Sequence, residues 1–322
     1  MSHLSHTATG SVLLATLLLS ACGGGDGGAN TPTSAEPSLV SLDEESQYAA
    51  AAVAILMPMQ VLSVSGDFVQ LPQGQPVASV TAKRAMAAVR SSQSTMGVGD
   101  TSTELVRDVE ACGAGGEVVI ETQGSVATVW YQACREVQTA EDGTVFNTEQ
   151  NGWARYTALS SEAFDEAYAI EEDTTFRVTG DSATTYVEHL QARMRYFQQD
   201  QRLRLEDVDY TFTDQGTYEG QSYNYTQAAQ KLAFTSDPQT GVTFAGRVGG
   251  WGRYFNGDEM MNGLLDVASA VALFFDDEGI PNAGTVAVNG ARGTKAFVEM
   301  RSKGYKLQLN GTPSLDIAWQ AQ

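Results

Sequence analysis

From about residue 103 onward, the chain is a succession of strand-like segments separated by turn signals, and this pattern limits the fold more than any other. Apolar and polar residues alternate over residues 203–212, with one break at Asp207. The turn signals include Gly115-Gly116, Asp142-Gly143, Asp214-Gln215-Gly216 and Asn256-Gly257. Short links join antiparallel neighbours, whereas parallel strands need long crossovers. We therefore expect a mainly β fold, built on a large curved antiparallel sheet or an open barrel.

Two stretches ahead of the strands have helical character. Residues 42–57 are rich in Ala and follow a capping box made by Ser41 and Glu44. Residues 78–92 combine apolar residues with a basic, water-facing side. We expect these N-terminal helices to pack on one face of the sheet. A later stretch, residues 264–273, fits a helix or a buried strand equally well, because periodicity does not separate the two.

The N-terminal apolar run of residues 12–19 ends in Leu19-Ser20-Ala21-Cys22. A short apolar segment closed by small residues is typical of a secretion signal. Its last four residues resemble the lipobox of bacterial lipoproteins. The resemblance implies cleavage before Cys22 and acylation of that cysteine, including palmitate. Gly23 follows the cysteine where Asp would be the usual inner-membrane retention signal, so the resemblance implies the outer membrane, on its periplasmic or cell-surface side.

The segment after the cysteine, residues 23–38, is composed mainly of Gly, Thr, Pro and Ser, and is expected to be a flexible tether. The C-terminal section looks like the tail of many uncharacterised proteobacterial lipoproteins, in which a strand and Gly-turn precede a final tryptophan, here Trp319. The run Cys112-Gly113-Ala114-Gly115-Gly116 is similar to theirs as well. This loose likeness covers about two-thirds of the chain and carries no activity with it.

Once the lipobox takes Cys22, two cysteines remain, Cys112 and Cys134. An even pair in an oxidising compartment predicts a disulfide, and a separation of this length suits neighbouring antiparallel strands. A two-thiolate metal site would need more ligands than the flanking residues offer. A redox-active pair usually has closer spacing.

Composition excludes several classes of function. A formal net charge of −20 argues against nucleic-acid binding and against electrostatic docking on anionic lipid. After cleavage His189 is the one remaining histidine, which excludes a multi-histidine metal site. No Gly-x-Ser-x-Gly elbow is present, and the Gly-rich run of residues 246–252 lacks the Lys-Ser/Thr of a phosphate loop. We expect no catalytic residue, no metal and no cofactor, and an enzyme is the less favoured reading.

Aromatic residues among Asn, Gln, Asp and Thr give the remaining hint of a ligand site. Flat rings beside amides and carboxylates suit a sugar-binding face or the lining of a ligand cavity. Cross-strand packing within the sheet explains the same residues without a ligand. The candidate ligand-binding residues are Trp130, Trp153, Tyr156, Trp251 and Tyr254.

The expected organisation is a signal peptide over residues 1–21, a lipidated tether over 22–40, a helical segment over 41–95 and a β domain over 96–322. The leading hypothesis is a non-enzymatic lipoprotein that is anchored by its lipid and holds a lipid or apolar ligand between helix and sheet, as the β-clam carriers do. The alternative is a surface that binds or cleaves glycans. A structural role without a small ligand stays open.

Overall fold

The structure, a computed structural model, describes residues 38–42, 84–89, 104–139, 145–180, 185–218, 220–253, 262–276 and 280–318. It contains one sheet of fourteen strands, in which every strand is antiparallel to the next along the chain. The first and last strands are the two edges, so the sheet is open. The expectation of a mainly β fold with a large antiparallel sheet is confirmed.

The strands vary in length, and the central ones are the longest. They are β1 (Val106–Ala111), β2 (Glu117–Gln123), β3 (Val126–Thr139), β4 (Val145–Ala158), β5 (Glu166–Thr179), β6 (Thr185–Gln199), β7 (Arg202–Tyr218), β8 (Gln221–Asp237), β9 (Gly241–Arg253), β10 (Gly263–Phe275), β11 (Pro281–Asn289), β12 (Lys295–Arg301), β13 (Gly304–Leu309) and β14 (Leu315–Ala318). The ambiguous stretch at 264–273 is therefore a strand. It pairs on both sides, with β9 and with β11.

Alternation along the strands divides the sheet into two chemically different faces. The face that carries Val129 and Ile170, called the inner face below, forms one apolar core from β2 to β13. The outer face carries the aromatic Trp153 and many polar side chains, among them Glu171 and Arg193. The following inner-face side chains are at most 1 % exposed: Val129, Ile170, Tyr196, Phe234, Val286 and Leu307.

One short helix, α1 (residues 84–89), packs on the inner face. Ala85, Met86 and Val89 belong to the core. Arg84 pairs with Asp108 at 2.6 Å and with Glu110, both on β1. Residues 84–89 of the expected 78–92 segment are thus helical. The rest of that segment lies outside the described residues, as do residues 43–57 of the other expected helix.

Residues 38–42 attach the N-terminal part of the chain to the sheet. Leu39 forms a parallel bridge with Leu264 at the start of β10, beyond the point where β11 stops pairing. The Val40 amide donates to the Leu264 carbonyl at 2.9 Å, and the Ala291 amide donates to the Val40 carbonyl at 2.7 Å. The segment called the clip below, residues 38–42, thus includes the last residues assigned to the tether.

Cys112 and Cys134 form a disulfide, as expected, with Cα atoms 5.4 Å apart. Cys112 lies in the turn between β1 and β2, and Cys134 lies in β3 directly after a bulge at Ala133. Backbone hydrogen bonds support the same corner, since the Ala114 amide donates to the Arg135 carbonyl at 2.8 Å. The bond fixes the open β1 edge to the long strands.

Removal of this disulfide should destabilise the protein measurably. The cysteines are 22 residues apart, and loop-closure entropy gives a loop of that length about 3 kcal/mol of stabilisation. We expect the double variant Cys112→Ser/Cys134→Ser to lose about that much free energy of unfolding in urea titrations. Wild-type protein unfolded in a reducing agent should match the variant. Equal stability of variant and oxidised wild type would contradict the prediction.

Candidate functional site

The outer face contains a cavity of about 990 Å³ that extends across the sheet from β4 to β11. Polar and aromatic side chains supply most of its walls. The outer-face residues that line it include Trp153, Asp173, Gln191, Arg193, Asp209, Thr211, Arg247, Trp251 and Asp266. The cavity therefore lies on the side of the sheet opposite the apolar core and combines charged, amide and aromatic groups.

Strand register places these residues in two parallel rows that run across the strands. The first, called the tryptophan row, is made of direct cross-strand partners: Trp130, Trp153, Asp173, Gln191, Thr211 and Ala228. The second, called the charged row, is made of Arg155, Glu171, Arg193, Asp209, Arg247 and Asp266. Both rows arise because side chains of paired residues on adjacent strands stand on the same face.

Opposite charges alternate along the charged row and pair with one another. Arg193 contacts Asp209 at 2.7 Å, and Arg247 contacts Asp266 at 2.9 Å. Asp209 also accepts a hydrogen bond from the Lys231 amide at 2.8 Å. The row thus presents hydrogen-bond donors and acceptors in turn, with its charges largely compensated.

Two bulges shape the floor beside this row. The register shifts around Asp207 in β7 and around Lys231 in β8, and both residues have positive φ, 50° and 49°. A bulge bends its strand and increases the local twist. The break in alternation at Asp207 in the sequence corresponds to the first of them.

The tryptophans differ in their surroundings. Trp130 and Trp153 are neighbours, with ring centroids 6.4 Å apart and planes at 48°. The Arg155 guanidinium lies 5.3 Å from the Trp153 ring centroid, a cation–π distance. Trp251 pairs across to Thr226, five strands away from Trp153. Both Trp153 and Trp251 are partly exposed and border the cavity.

The structure brings together some of the candidate aromatic residues and separates others. Trp130, Trp153 and Trp251 share the outer face. Tyr156 does not join them, because it lies an odd number of residues from Trp153 in the same strand and is 1 % exposed on the inner face. Tyr254 lies outside the described residues, as does the lipidation candidate Cys22.

His189 lies on the outer face and has a carboxylate partner. Its Nε2 is 2.8 Å from Asp173 Oδ1, and Gln191 Nε2 donates to the other Asp173 oxygen at 3.1 Å. The hydrogen bond with His189 is the main reason that the pKa of Asp173 is lowered. His189 therefore helps to fix a carboxylate in the tryptophan row.

A second cluster, on the inner face, was not expected from the sequence. Glu188 on β6 and Asp214 on β7 are direct cross-strand partners. Tyr223 donates to Asp214 at 3.1 Å, and its ring stacks on Tyr225 with centroids 6.2 Å apart. Burial, helped by the Asp214 carboxylate, raises the pKa of Glu188 to about 7. Burial likewise raises the pKa of Asp214.

The sequence hid this cluster because Asp214-Gln215-Gly216 has the composition of a turn. That expected turn is wrong, since β7 continues through it to Tyr218. Gly216 instead allows β7 to approach β6 closely, because a Cβ atom there would lie 2.4 Å from the Thr185 carbonyl oxygen. Glu188 and Asp214 alternate in step with aromatic residues of their own strands. That period of two is the signal in the sequence that could have revealed the pair.

One group of potential metal ligands occurs at the disulfide. Within the described residues, the group of three close ligand atoms is formed by Cys112, Cys134 and Glu136. Both sulfurs are already joined in the disulfide, so this group has a structural role at the turn between β1 and β2. In the same part of the chain no helix is long and apolar enough to cross a membrane.

Comparisons with protein-family models, with curated proteins and with solved structures find no match to this chain. The site is therefore interpreted from its own chemistry.

The pKa of Glu188 makes stability depend on pH in a definite direction. Between its ordinary value of 4.5 and about 7, the folded state keeps a proton that the unfolded chain releases. The free energy of unfolding should therefore fall as pH rises through this window. Glu188→Gln should reduce that fall, so that the variant gains on the order of 3 kcal/mol relative to wild type between pH 4 and pH 8.

Urea unfolding at both pH values measures this difference. The matched variant Glu117→Gln, on the outer face of β2, should keep the wild-type pH dependence. A Glu188→Gln variant with an unchanged pH dependence would show that Glu188 is not the responsible group.

Proposed function

We propose that the protein is a lipid-anchored protein of the cell envelope that binds glycans in the cavity on the outer face. The observation that carries this proposal is the shared cavity of Trp153 and Trp251, separated by amide, hydroxyl and charged side chains. Sugar rings have apolar faces that pack on indole rings and hydroxyl edges that need hydrogen bonds. The cavity offers both kinds of contact.

Binding without cleavage fits the outer-face carboxylates of the cavity. Glu172 also borders the cavity and burial raises its pKa, but its side chain lies on the inner face and accepts a hydrogen bond from Thr174 at 2.8 Å. A glycosidase needs a carboxylic acid that stays protonated until it protonates the leaving oxygen, so its pKa is raised. Hydrogen bonds lower the pKa of Asp173. Asp209 and Asp266 are engaged by arginines at 2.7 and 2.9 Å. These groups are suited to hold hydroxyls.

The apolar-ligand hypothesis stays a prediction and receives less support. Apolar side chains of the inner face such as Val129, Val286 and Val298 are 0 % exposed. A lipid at those positions would have to displace packed side chains. The described cavity instead lies on the polar face.

Glycan binding predicts specific losses in two tryptophan variants. Trp153→Ala and Trp251→Ala should each weaken binding about tenfold, since an aromatic contact contributes roughly 1 kcal/mol beyond its buried area. The measurement is binding to an oligosaccharide array, followed by calorimetry on the sugars that bind.

The control for these variants is Phe297→Ala. Phe297 is an exposed outer-face ring on β12, and it is not among the residues of the cavity. It should bind sugars as the wild type does. Wild-type protein that binds no oligosaccharide, or tryptophan variants that bind as well as it does, would contradict the proposed function.

Anchoring predicts a separate outcome for Cys22. In a bacterial host, the full chain should incorporate labelled palmitate and fractionate with the outer membrane, because acyl chains supply the membrane affinity. Cys22→Ser should lose the label and move to the soluble fraction. Cys112→Ser, which leaves the lipobox intact, should keep the label. An unlabelled wild-type protein would contradict the lipoprotein assignment.

A further inference from the structure

We infer that the ligand is a neutral oligosaccharide of several sugar units that lies along the tryptophan row, across the strands from β4 to β9. This inference rests on the glycan-binding function proposed above. It adds the length, the charge and the direction of the ligand.

The length follows from the positions of the two tryptophans that border the cavity. Trp153 is on β4 and Trp251 is on β9, five inter-strand steps apart. Five steps correspond to about 24 Å along the sheet. A pyranose unit is comparable in length to one such step. A disaccharide therefore reaches one tryptophan, and a chain of five or six units reaches both.

The direction follows from the floor between the two rings. Gln191, Thr211 and Ala228 continue the row from Asp173 toward β9. These side chains are uncharged and small or medium in size. The next residue across, Gly249, has no side chain to obstruct the path, and Trp251 lies two residues farther along β9, beside the end of the row. A ligand that lay along the strands would contact one tryptophan and miss the other.

The charge of the ligand follows from the pairing of opposite charges among the side chains that line the cavity. Four outer-face carboxylates and three basic side chains line the cavity: Glu171, Asp173, Asp209, Asp266, Arg193, Lys231 and Arg247. Arg193 and Arg247 are already paired with carboxylates. An acidic sugar would have to compete for these arginines. The overall charge of −20 also repels a polyanion as it approaches.

Alternating donors and acceptors also match the hydroxyl group, which donates one hydrogen bond and accepts others. The Arg193–Asp209 pair joins β6 and β7, and the Arg247–Asp266 pair joins β9 and β10. The hydroxyls of a neutral sugar can donate to the carboxylates of these pairs and accept from their guanidinium groups. The charged row is thus a hydrogen-bonding wall beside the tryptophan row.

The test uses the full mature chain and three neutral series, the cello-, malto- and chito-oligosaccharides, each from disaccharide to hexasaccharide. Oligogalacturonides of the same lengths are the acidic comparison. Calorimetry and tryptophan fluorescence give the affinities. In the neutral series that binds, we expect the hexasaccharide to bind at least tenfold more tightly than the disaccharide, and more tightly than the acidic hexamer.

A variant in the middle of the path distinguishes a ligand that spans both tryptophans from one that contacts only one of them. Thr211→Arg places a bulky side chain between the two tryptophans and should reduce hexasaccharide binding at least tenfold, with disaccharide binding retained. Thr243→Arg, at an exposed outer-face position of β9 that does not line the cavity, is the matched control and should bind both as wild type does. Thermal unfolding verifies that both variants are folded.

Each outcome decides a different point. Equal affinity for the disaccharide and the hexasaccharide would overturn the inferred length while leaving glycan binding intact. Tighter binding of the oligogalacturonide would overturn the inferred charge. Equal loss of both lengths in Thr211→Arg would overturn the path across the strands. A wild-type protein that binds none of the four series overturns the inference and the proposed function together.

Discussion

A slip of one residue in the pairing of β4 with β5 would exchange the two faces of the sheet. Ile170 and Tyr168 would turn toward water, and Asp173 would turn into the apolar core. Such a slip is opposed by the buried inner-face side chains of the long strands, because each buried large side chain contributes about 1.5–3 kcal/mol. The tryptophan row and the charged row exist only in the native register. The surface that lines the cavity is therefore specified by the core behind it.

The carboxylates of the two faces lie in opposite electrostatic environments. On the outer face, charges alternate from strand to strand and each carboxylate of the charged row has a basic or amide partner, as in the Arg193–Asp209 pair. On the inner face, Glu188 and Asp214 stand directly opposite each other among tyrosines. Burial of like charges favours the protonated form, so this pair retains a proton where the outer pairs remain ionised. The outer-face charges are therefore compensated by pairing, whereas the polarity of the inner face costs stability at high pH.

The sequence predicts much of the β architecture and little of the geometry of the site. Turn pairs and alternation indicate antiparallel strands, and the cysteine count indicates the disulfide. The same local signals underestimate the length of β7. Asp214 and Gly216 have the composition of a turn, but their role is set by contact with β6. Register between distant segments decides that Trp153 and Trp251 share a cavity and that Tyr156 does not. That register depends on long-range packing, which a local pattern does not contain.

The clip also has a mechanical consequence. Val40 is held on two sides, by the Leu264 carbonyl of β10 and by the Ala291 amide of the turn before β12. Leu42 adds contacts with Thr294 and Asn310 at 2.9 and 3.2 Å. A pulling force applied ahead of residue 38 would load these hydrogen bonds together rather than one after another. Such a force would thus be shared between β10 and the turns beside β12 and β13, in the interior of the sheet and away from the exposed β1 edge.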